Sequence, residues 1–218
     1  MTQETILLEG EAGAIEVFVE LPKPKPVKGF ALIGHPHPLF GGNADNKVVT
    51  TLARAFRDMG CATLRPNFRG VGASAGEHAD GSGETVDLLL VHDYARQRFG
   101  AVPFYLAGFS FGAYVITRLA KSLADAGDPA QRMVLVGTAA GHVEGARRYE
   151  TTAVAADTIV IHGGRDDLVP LQNVFDWAEP MDLPVIVIPG ADHFFHRRLH
   201  IIRAIIARNF GSSPEAAG

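Results

Sequence analysis

The feature that most constrains this chain is Ser110, which stands midway between Gly108 and Gly112. An apolar run at 104–107 precedes it and is typical of a buried strand, and residues 113–120 follow it with helical spacing. A serine at such a strand-to-helix turn has the nucleophile-elbow pattern, in which glycines permit a turn too sharp for flanking side chains. The turn lifts the hydroxyl above the carboxyl edge of a sheet, where a base and a substrate can reach it. The competing interpretation is that this pentapeptide arose by chance. A base and a carboxylate elsewhere in the sequence are needed to distinguish the two interpretations.

Composition places the chain among ordinary globular proteins. Its 218 residues are 47% hydrophobic, and we expect one domain over residues 1–218. The formal net charge is -4 and no basic tract stands apart, which argues against nucleic acid as a partner. No apolar run approaches the roughly 18 residues that span a bilayer, and the N-terminus lacks a signal-peptide pattern. We therefore expect a cytoplasmic protein without a membrane partner.

Cysteine usage excludes two further classes. Cys61 is the only cysteine, so we expect neither an intrachain disulfide nor a thiolate metal cluster. Its position at the start of an apolar run favours a buried thiol in the core.

Apolar patterning predicts strands that alternate with helices. Residues 6–9 and 14–21 form a hairpin, because the second segment alternates apolar and polar residues. Continuous apolar runs, typical of strands covered on both faces, follow at 30–34, 61–64, 104–107, 133–137, 158–163 and 185–188. Helical spacing is found at 47–59, 84–99, 113–120, 171–177 and 193–210. Strong periodicity is missing between 137 and 157, where a small flap would fit, and 212–218 is a polar tail.

This alternation predicts the fold class. Strands that alternate with helices of ten or more residues imply right-handed crossovers and a mostly parallel sheet. We expect an α/β fold with about eight strands, an N-terminal antiparallel hairpin and helices on both faces.

Two later loops supply the groups that a serine nucleophile needs. A serine hydroxyl is a weak nucleophile at neutral pH, so it needs a base, and the base needs an orienting carboxylate. Asp166 and Asp167 follow one predicted strand, and His193 follows the next. The chain order Ser, Asp, His is that of nucleophile-elbow hydrolases. The sequence therefore predicts a triad of Ser110, His193 and one of the two aspartates.

These motifs resemble the α/β-hydrolase superfamily over essentially the full length of the chain. Within it, residues 35–42 and 45–47 resemble a signature of the small, lidless bacterial hydrolases related to dienelactone hydrolase, and residues 67–74 resemble their next loop. The resemblance implies an α/β-hydrolase fold without a large lid. It also implies that Asp166 is the acid and His193 the base, with Asp167 as the alternative acid.

Ester hydrolysis also needs donors for the negative charge on the carbonyl oxygen. One expected donor is the amide of Phe111, directly after the nucleophile and at a helix N-terminus. The other should come from the loop after residue 34, where Pro36 and Pro38 have no N–H. His37 matches the position used by the family, and Leu39 is the alternative.

Other histidines have competing interpretations. His35 and His37 could form a metal pair on one face of an extended segment, but no third ligand is evident, so we predict neither a metal nor another cofactor. We expect His162 to fix its own loop by a hydrogen bond, and His196 and His200 to lie on the surface of the terminal helix.

The functional prediction is a serine esterase that cleaves small carboxylic esters through an acyl-enzyme intermediate. A thioesterase or a peptidase would use the same triad, and a non-catalytic binding module is the alternative from another class. The expected partner is a small-molecule ester, and the protein is expected to be a monomer or a small homo-oligomer. Four aromatic residues either line an acyl pocket or belong to the core: Phe40, Phe111, Tyr114 and Trp177.

Overall fold

The computed structural model describes residues 3–23, 26–143 and 147–211, so the predicted polar tail at 212–218 lies outside the described residues. The strands are β1 (Gln3–Gly10), β2 (Gly13–Glu20), β3 (Gly29–Gly34), β4 (Cys61–Pro66), β5 (Phe104–Phe109), β6 (Arg132–Val136), β7 (Gly141–Val143), β8 (Arg147–Tyr149), β9 (Ile159–Gly163) and β10 (Val185–Ile188). The α-helices are α1 (Lys47–Asp58), α2 (Ser82–Phe99), α3 (Phe111–Asp125), α4 (Leu171–Ala178) and α5 (Leu199–Gly211). None of the helices in these ranges is long and apolar enough to cross a lipid bilayer.

Eight of the strands form one sheet in the order β1-β2-β4-β3-β5-β6-β9-β10. The β1–β2 hairpin is antiparallel, and β2 also runs antiparallel to β4. All the other neighbours in the sheet are parallel. The expected eight-stranded, mostly parallel sheet with an N-terminal antiparallel hairpin is therefore confirmed.

Side chains of the central strands alternate between two apolar cores, one on each face of the sheet. In β3, Phe30 and Leu32 belong to the core that α2 and α3 cover. Ala31 and Ile33 belong to the core that α1 and α5 cover. Since successive side chains of a strand point to opposite faces, a strand buried on both faces must be apolar throughout. This burial explains the continuous apolar runs of the sequence and confirms helices on both faces.

The terminal helix is shorter than the sequence predicted. The expected helix over 193–210 begins only with α5, at residue 199. Phe195 and Arg197 have φ angles of 53° and 61°, in the left-handed region that a right-handed helix cannot contain. The prediction of a helix from residue 193 was therefore wrong, and His193 lies in a turn ahead of α5.

The segment between β6 and β9 contains a second, smaller sheet. Strands β7 and β8 pair antiparallel and are separate from the main sheet. Each has only three residues. This small sheet is the flap for which the sequence left room.

Candidate active site

Ser110 occupies a sharp turn between β5 and α3. Its φ of 55° and ψ of -121° are strained for a residue with a side chain, and its amide donates to the Val136 carbonyl over 2.9 Å. A Cβ at Gly108 would come within 2.6 Å of the backbone of α3. A Cβ at Gly112 would overlap the backbone at the end of β3. Both glycines are thus required by close backbone approach, as the elbow pattern predicts.

His193 connects Ser110 to Asp166 through hydrogen bonds. The Nε2 atom of His193 lies 3.0 Å from Ser110 Oγ, and its Nδ1 atom lies 2.7 Å from Asp166 Oδ2. Because an ionised carboxylate can only accept, Nδ1 carries the imidazole proton and Nε2 accepts from the serine hydroxyl. The Asp166 side chain is fully buried, and that of His193 is almost so. The structure therefore brings together side chains from the loops after β5, β9 and β10.

The loop after β9 holds the Asp166 carboxylate in place. Asp166 Oδ1 accepts the amides of Leu168 and Val169, at 3.0 and 2.8 Å. His162 Nε2 lies 3.0 Å from the Val169 carbonyl oxygen, to which it donates. Burial lowers the pKa of His162, so the ring is neutral beneath the loop. Asp167, the alternative acid, points to solvent and makes none of these contacts.

The loop after β3 is fixed by His35. Its Nδ1 atom donates to the Pro36 carbonyl over 2.6 Å, and its Nε2 atom accepts the Phe68 amide at 2.8 Å. Burial, with a smaller contribution from the neighbouring His37, lowers the pKa of His35 to about 3, against the opposing effect of the hydrogen bond to Pro36. Both ring nitrogens are therefore engaged in holding two strand-end loops together.

Phe111 and His37, which carry the amides expected to bind the oxyanion, line one cavity together with Ser110. Phe111 is the first residue of α3, where an amide has no carbonyl of its own helix to bind. The Leu39 amide donates to His37 Nδ1 over 3.3 Å, so it is already used within its loop. Within residues 3–23, 26–143 and 147–211, the amides of Phe111 and His37 make no hydrogen bond. This arrangement favours His37 over Leu39 as the second donor.

A cavity of about 520 Å³ opens onto Ser110 and His193. Its apolar wall consists of Pro36, Phe40, Phe111, Ala139, Val143, Leu168, Val169 and Phe194. Phe40 and Phe194 also have exposed fractions of 68% and 42%, so the apolar wall continues to the rim. The cavity thus fits a small molecule with apolar parts.

Of the aromatic candidates, only Phe40 and Phe111 line this cavity. Tyr114 is buried, and its ring centroid lies 5.0 Å from that of Tyr149. Trp177 donates from Nε1 to a loop carbonyl over 3.2 Å. These two residues therefore belong to the packing around the site.

His196 and His200, the two histidines expected on the terminal helix, do not line the cavity. His196 is exposed and its Nδ1 atom lies 2.7 Å from Asp192 Oδ2. His200 is exposed on α5. The prediction that His196 lies on the terminal helix was wrong, because the left-handed turns place it before that helix.

Sequence reasoning missed Arg147 and Tyr149, which line the cavity from β8. A three-residue strand is too short to give a periodic signal. The available clue was their spacing of two, which places both side chains on one face of an extended segment.

Known proteins share both the sequence pattern and the architecture. The model of the alpha/beta hydrolase fold family matches residues 37–150. An uncharacterized protein of Rickettsia prowazekii is 32% identical over 181 residues, which cover 78% of this chain and 73% of that protein. A serine hydrolase without a lid from Xanthomonas campestris superposes with a TM-score of 0.85 and 34% identity over 97% of each chain. An alpha-beta serine hydrolase homologue from Coxiella burnetii gives a TM-score of 0.83 and 38% identity, covering 96% of this chain and 98% of its own.

Proposed function

Since this chain belongs to the alpha/beta hydrolase fold family, we propose that it is a serine esterase that cleaves small carboxylic esters. The observation that carries the proposal is the unbroken line of hydrogen bonds from Ser110 through His193 to Asp166. The similarity to lidless bacterial serine hydrolases supports the same chemistry. The narrower relationship to dienelactone hydrolase remains an expectation from the sequence motifs.

The proposed reaction has two halves. Ser110 Oγ attacks the ester carbonyl while His193 Nε2 takes the hydroxyl proton, and the carbonyl π electrons move onto the oxygen. The tetrahedral intermediate then collapses, the bond to the alcohol oxygen breaks, and His193 returns its proton to that oxygen. In the second half, His193 deprotonates a water molecule, which attacks the acyl carbonyl. The bond to Ser110 Oγ then breaks, His193 returns the proton to that oxygen, and the carboxylic acid leaves.

Asp166 and the two amides have supporting roles in this scheme. Asp166 keeps the imidazole in the tautomer that presents a lone pair to the serine, and it stabilises the imidazolium that forms. The amides of Phe111 and His37 stabilise the oxyanion, and the N-terminus of α3 adds a partial positive charge. A preorganised donor of this kind contributes about 10²- to 10³-fold to kcat in related chemistry.

We extend the proposal to the chain as a whole. In this proposal residues 1–218 are one hydrolase domain without a large lid, and the small sheet of β7 and β8 lines part of the cavity. An uncapped cavity with an apolar wall suits small esters that diffuse in from water. The proposed partner is therefore a small-molecule ester.

A covalent probe and one substitution test the proposed nucleophile. The wild-type protein should hydrolyse p-nitrophenyl acetate and gain the mass of one phosphonyl group on Ser110 after treatment with a fluorophosphonate. Ser110→Ala should lose both properties, and Ser82→Ala, at an exposed serine of α2, should keep both. Turnover by Ser110→Ala would show that another group attacks. A wild-type protein with neither turnover nor label would be a binding module.

A substrate panel tests the ester preference. Matched acetyl esters, thioesters and anilides present the same acyl group with different leaving groups. We expect the highest kcat/KM for the esters. A higher value for the thioester or the anilide would replace the esterase by a thioesterase or a peptidase with the same three side chains.

A further inference from the structure

The cavity beside Ser110 has an arginine in its wall. Within the described residues, Arg147 is the only permanently charged side chain in its wall, and no carboxylate lines it. The other polar side chains there include His37, whose pKa is lowered to about 4 by burial first and then by His78 and Arg147. The described part of the wall therefore carries one positive charge and no negative one.

Arg147 is held against aromatic surface. Its guanidinium carbon lies 4.2 Å from the ring centroid of Phe40, which comes from the loop after β3. Burial raises the pKa of the Tyr149 phenol, while the charge of Arg147 and its hydrogen bond to the phenol oppose that rise. A guanidinium that stacks on a ring keeps its N–H groups at the edge of its plane. That edge is where carboxylate and phosphate oxygens bind arginine.

The surroundings of the cation strengthen its interaction with an anion. The wall is mainly apolar, and a low local dielectric makes a charge-assisted hydrogen bond stronger than it is in water. Asp80 and Glu84 act on the pKa of His37 from nearby, but neither lines the cavity. Among the residues that the structure describes, no carboxylate lines the cavity to repel an anion beside the guanidinium.

We infer that Arg147 recognises an anionic group of the substrate, so that the preferred ester carries a carboxylate or phosphate in addition to its scissile carbonyl. The inference rests on the proposed esterase function and narrows the substrate class of the same cavity. It assigns Arg147 a role in specificity, separate from proton transfer at Ser110.

Two matched pairs of substrates test the inference and locate the anion. On the acyl side, mono-p-nitrophenyl suberate is compared with p-nitrophenyl methyl suberate, which lacks the charge. On the alcohol side, 4-acetoxybenzoate is compared with methyl 4-acetoxybenzoate. The readout is the ratio of kcat/KM for the anionic over the neutral member of each pair, after subtraction of the uncatalysed rate.

The variants are Arg147→Met, Arg147→Lys and Arg148→Met. Methionine keeps an apolar stem of similar length and removes the charge, whereas lysine keeps the charge without the planar fork. Arg148 is the matched control, because it is the next residue of β8 and its side chain is exposed on the opposite face.

We expect Arg147→Met to lower the ratio for at least one pair by about 10- to 100-fold, the worth of one charge-assisted hydrogen bond. Arg147→Lys should retain part of the preference for the anionic substrate, and Arg148→Met should have the same ratio as the wild type. The pair that responds shows whether the anion belongs to the acyl or the alcohol part. A merely structural arginine would reduce kcat/KM for both members alike, and ratios unchanged within about twofold in both pairs would overturn the inference.

Binding without turnover separates this inference from the proposed function. If the wild-type protein cleaves neither neutral ester and takes up no fluorophosphonate, the esterase proposal fails on its own. Calorimetric titration of the intact protein with phenylphosphonate then repeats the comparison. Weaker binding by Arg147→Met, by about tenfold or more, supports the anion site, and equal binding overturns it.

Discussion

Replacing Asp166 by asparagine should inactivate the protein while leaving its fold in place. The aspartate accepts the amides of Leu168 and Val169 on Oδ1 and the His193 Nδ1 proton on Oδ2. In Asp166→Asn, the amide oxygen will keep the two backbone donors, because an NH₂ group turned towards them would lose both hydrogen bonds. The NH₂ group must then face His193 Nδ1, which can only accept from it. The imidazole proton therefore moves to Nε2, and the nitrogen beside Ser110 no longer accepts the hydroxyl proton.

The size of the effect follows from this change of tautomer. Loss of the correct tautomer in a serine triad costs about 10⁴-fold in kcat, or about 5 kcal/mol in activation free energy. The free energy of unfolding should fall by only about 1–2 kcal/mol, because the two amide hydrogen bonds persist with a neutral acceptor. Initial rates with p-nitrophenyl butyrate and urea unfolding curves measure the two quantities on the same preparations.

The matched control is Asp167→Asn, which removes the neighbouring carboxylate from an exposed position. This variant should keep kcat within about twofold of the wild type. Asp166→Asn with more than about a tenth of the wild-type kcat would refute the tautomer argument. Equal losses from both substitutions would refute the choice of Asp166.

Three further predictions concern the glycine at the elbow, the buried histidine and the loop amide. Gly112→Ala should lower the free energy of unfolding by about 3 kcal/mol or more, because the new Cβ would lie under 3.0 Å from the end of β3. In Gly127→Ala the new Cβ meets no atom within 4 Å, and only the φ of +82° is unfavourable, so the free energy of unfolding should fall by about 1–2 kcal/mol. Urea titrations measure both variants, and equal losses would contradict this prediction. The pKa of His35 is about 3 in the folded protein and 6.5 in an unfolded chain, so the unfolded state binds a proton first as the pH falls. The contribution of the buried His35 to the free energy of unfolding is full above pH 6.5 and falls by about 2 kcal/mol between pH 6.5 and 5. His35→Gln should therefore flatten this part of the profile of stability against pH, and His200→Gln should not. Parallel profiles for the two variants would refute this prediction. His37→Pro fits the φ of -55° but lacks the N–H, so its kcat should be about 10²- to 10³-fold below that of His37→Ala, and equal kcat values would exclude this amide.

Much of the fold was predictable because its signals are local. The central strands are buried on both faces, so each appears in the sequence as a continuous apolar run such as residues 30–34. The elbow was predictable for a different reason, since only glycine permits the backbone contacts that surround Gly108 and Gly112. Parallel strands end at one edge of the sheet, which is why loops far apart in sequence could be expected to meet.

The remaining features depend on tertiary context that no local pattern records. Phe195 and Arg197 adopt left-handed backbone angles although neither is a glycine. The sequence therefore contained no signal that α5 begins after residue 193. The choice between Asp166 and Asp167 could not follow from residue type, because both are aspartates in the same loop. Arg147 lies on a three-residue strand, lines the cavity and contacts Phe40 in the loop after β3, and such a contact between distant segments leaves no local pattern.

Strands β7 and β8 lie in a different segment of the chain from the loops that carry Ser110, Asp166 and His193. Their residues fall after the serine and before the aspartate, in a crossover that contributes no strand to the main sheet. Exchanging or lengthening that crossover would change the wall of the cavity, while Ser110, Asp166 and His193 would keep their places after β5, β9 and β10. The proposed substrate range is therefore a property that evolution, or an engineer, can alter within this single segment.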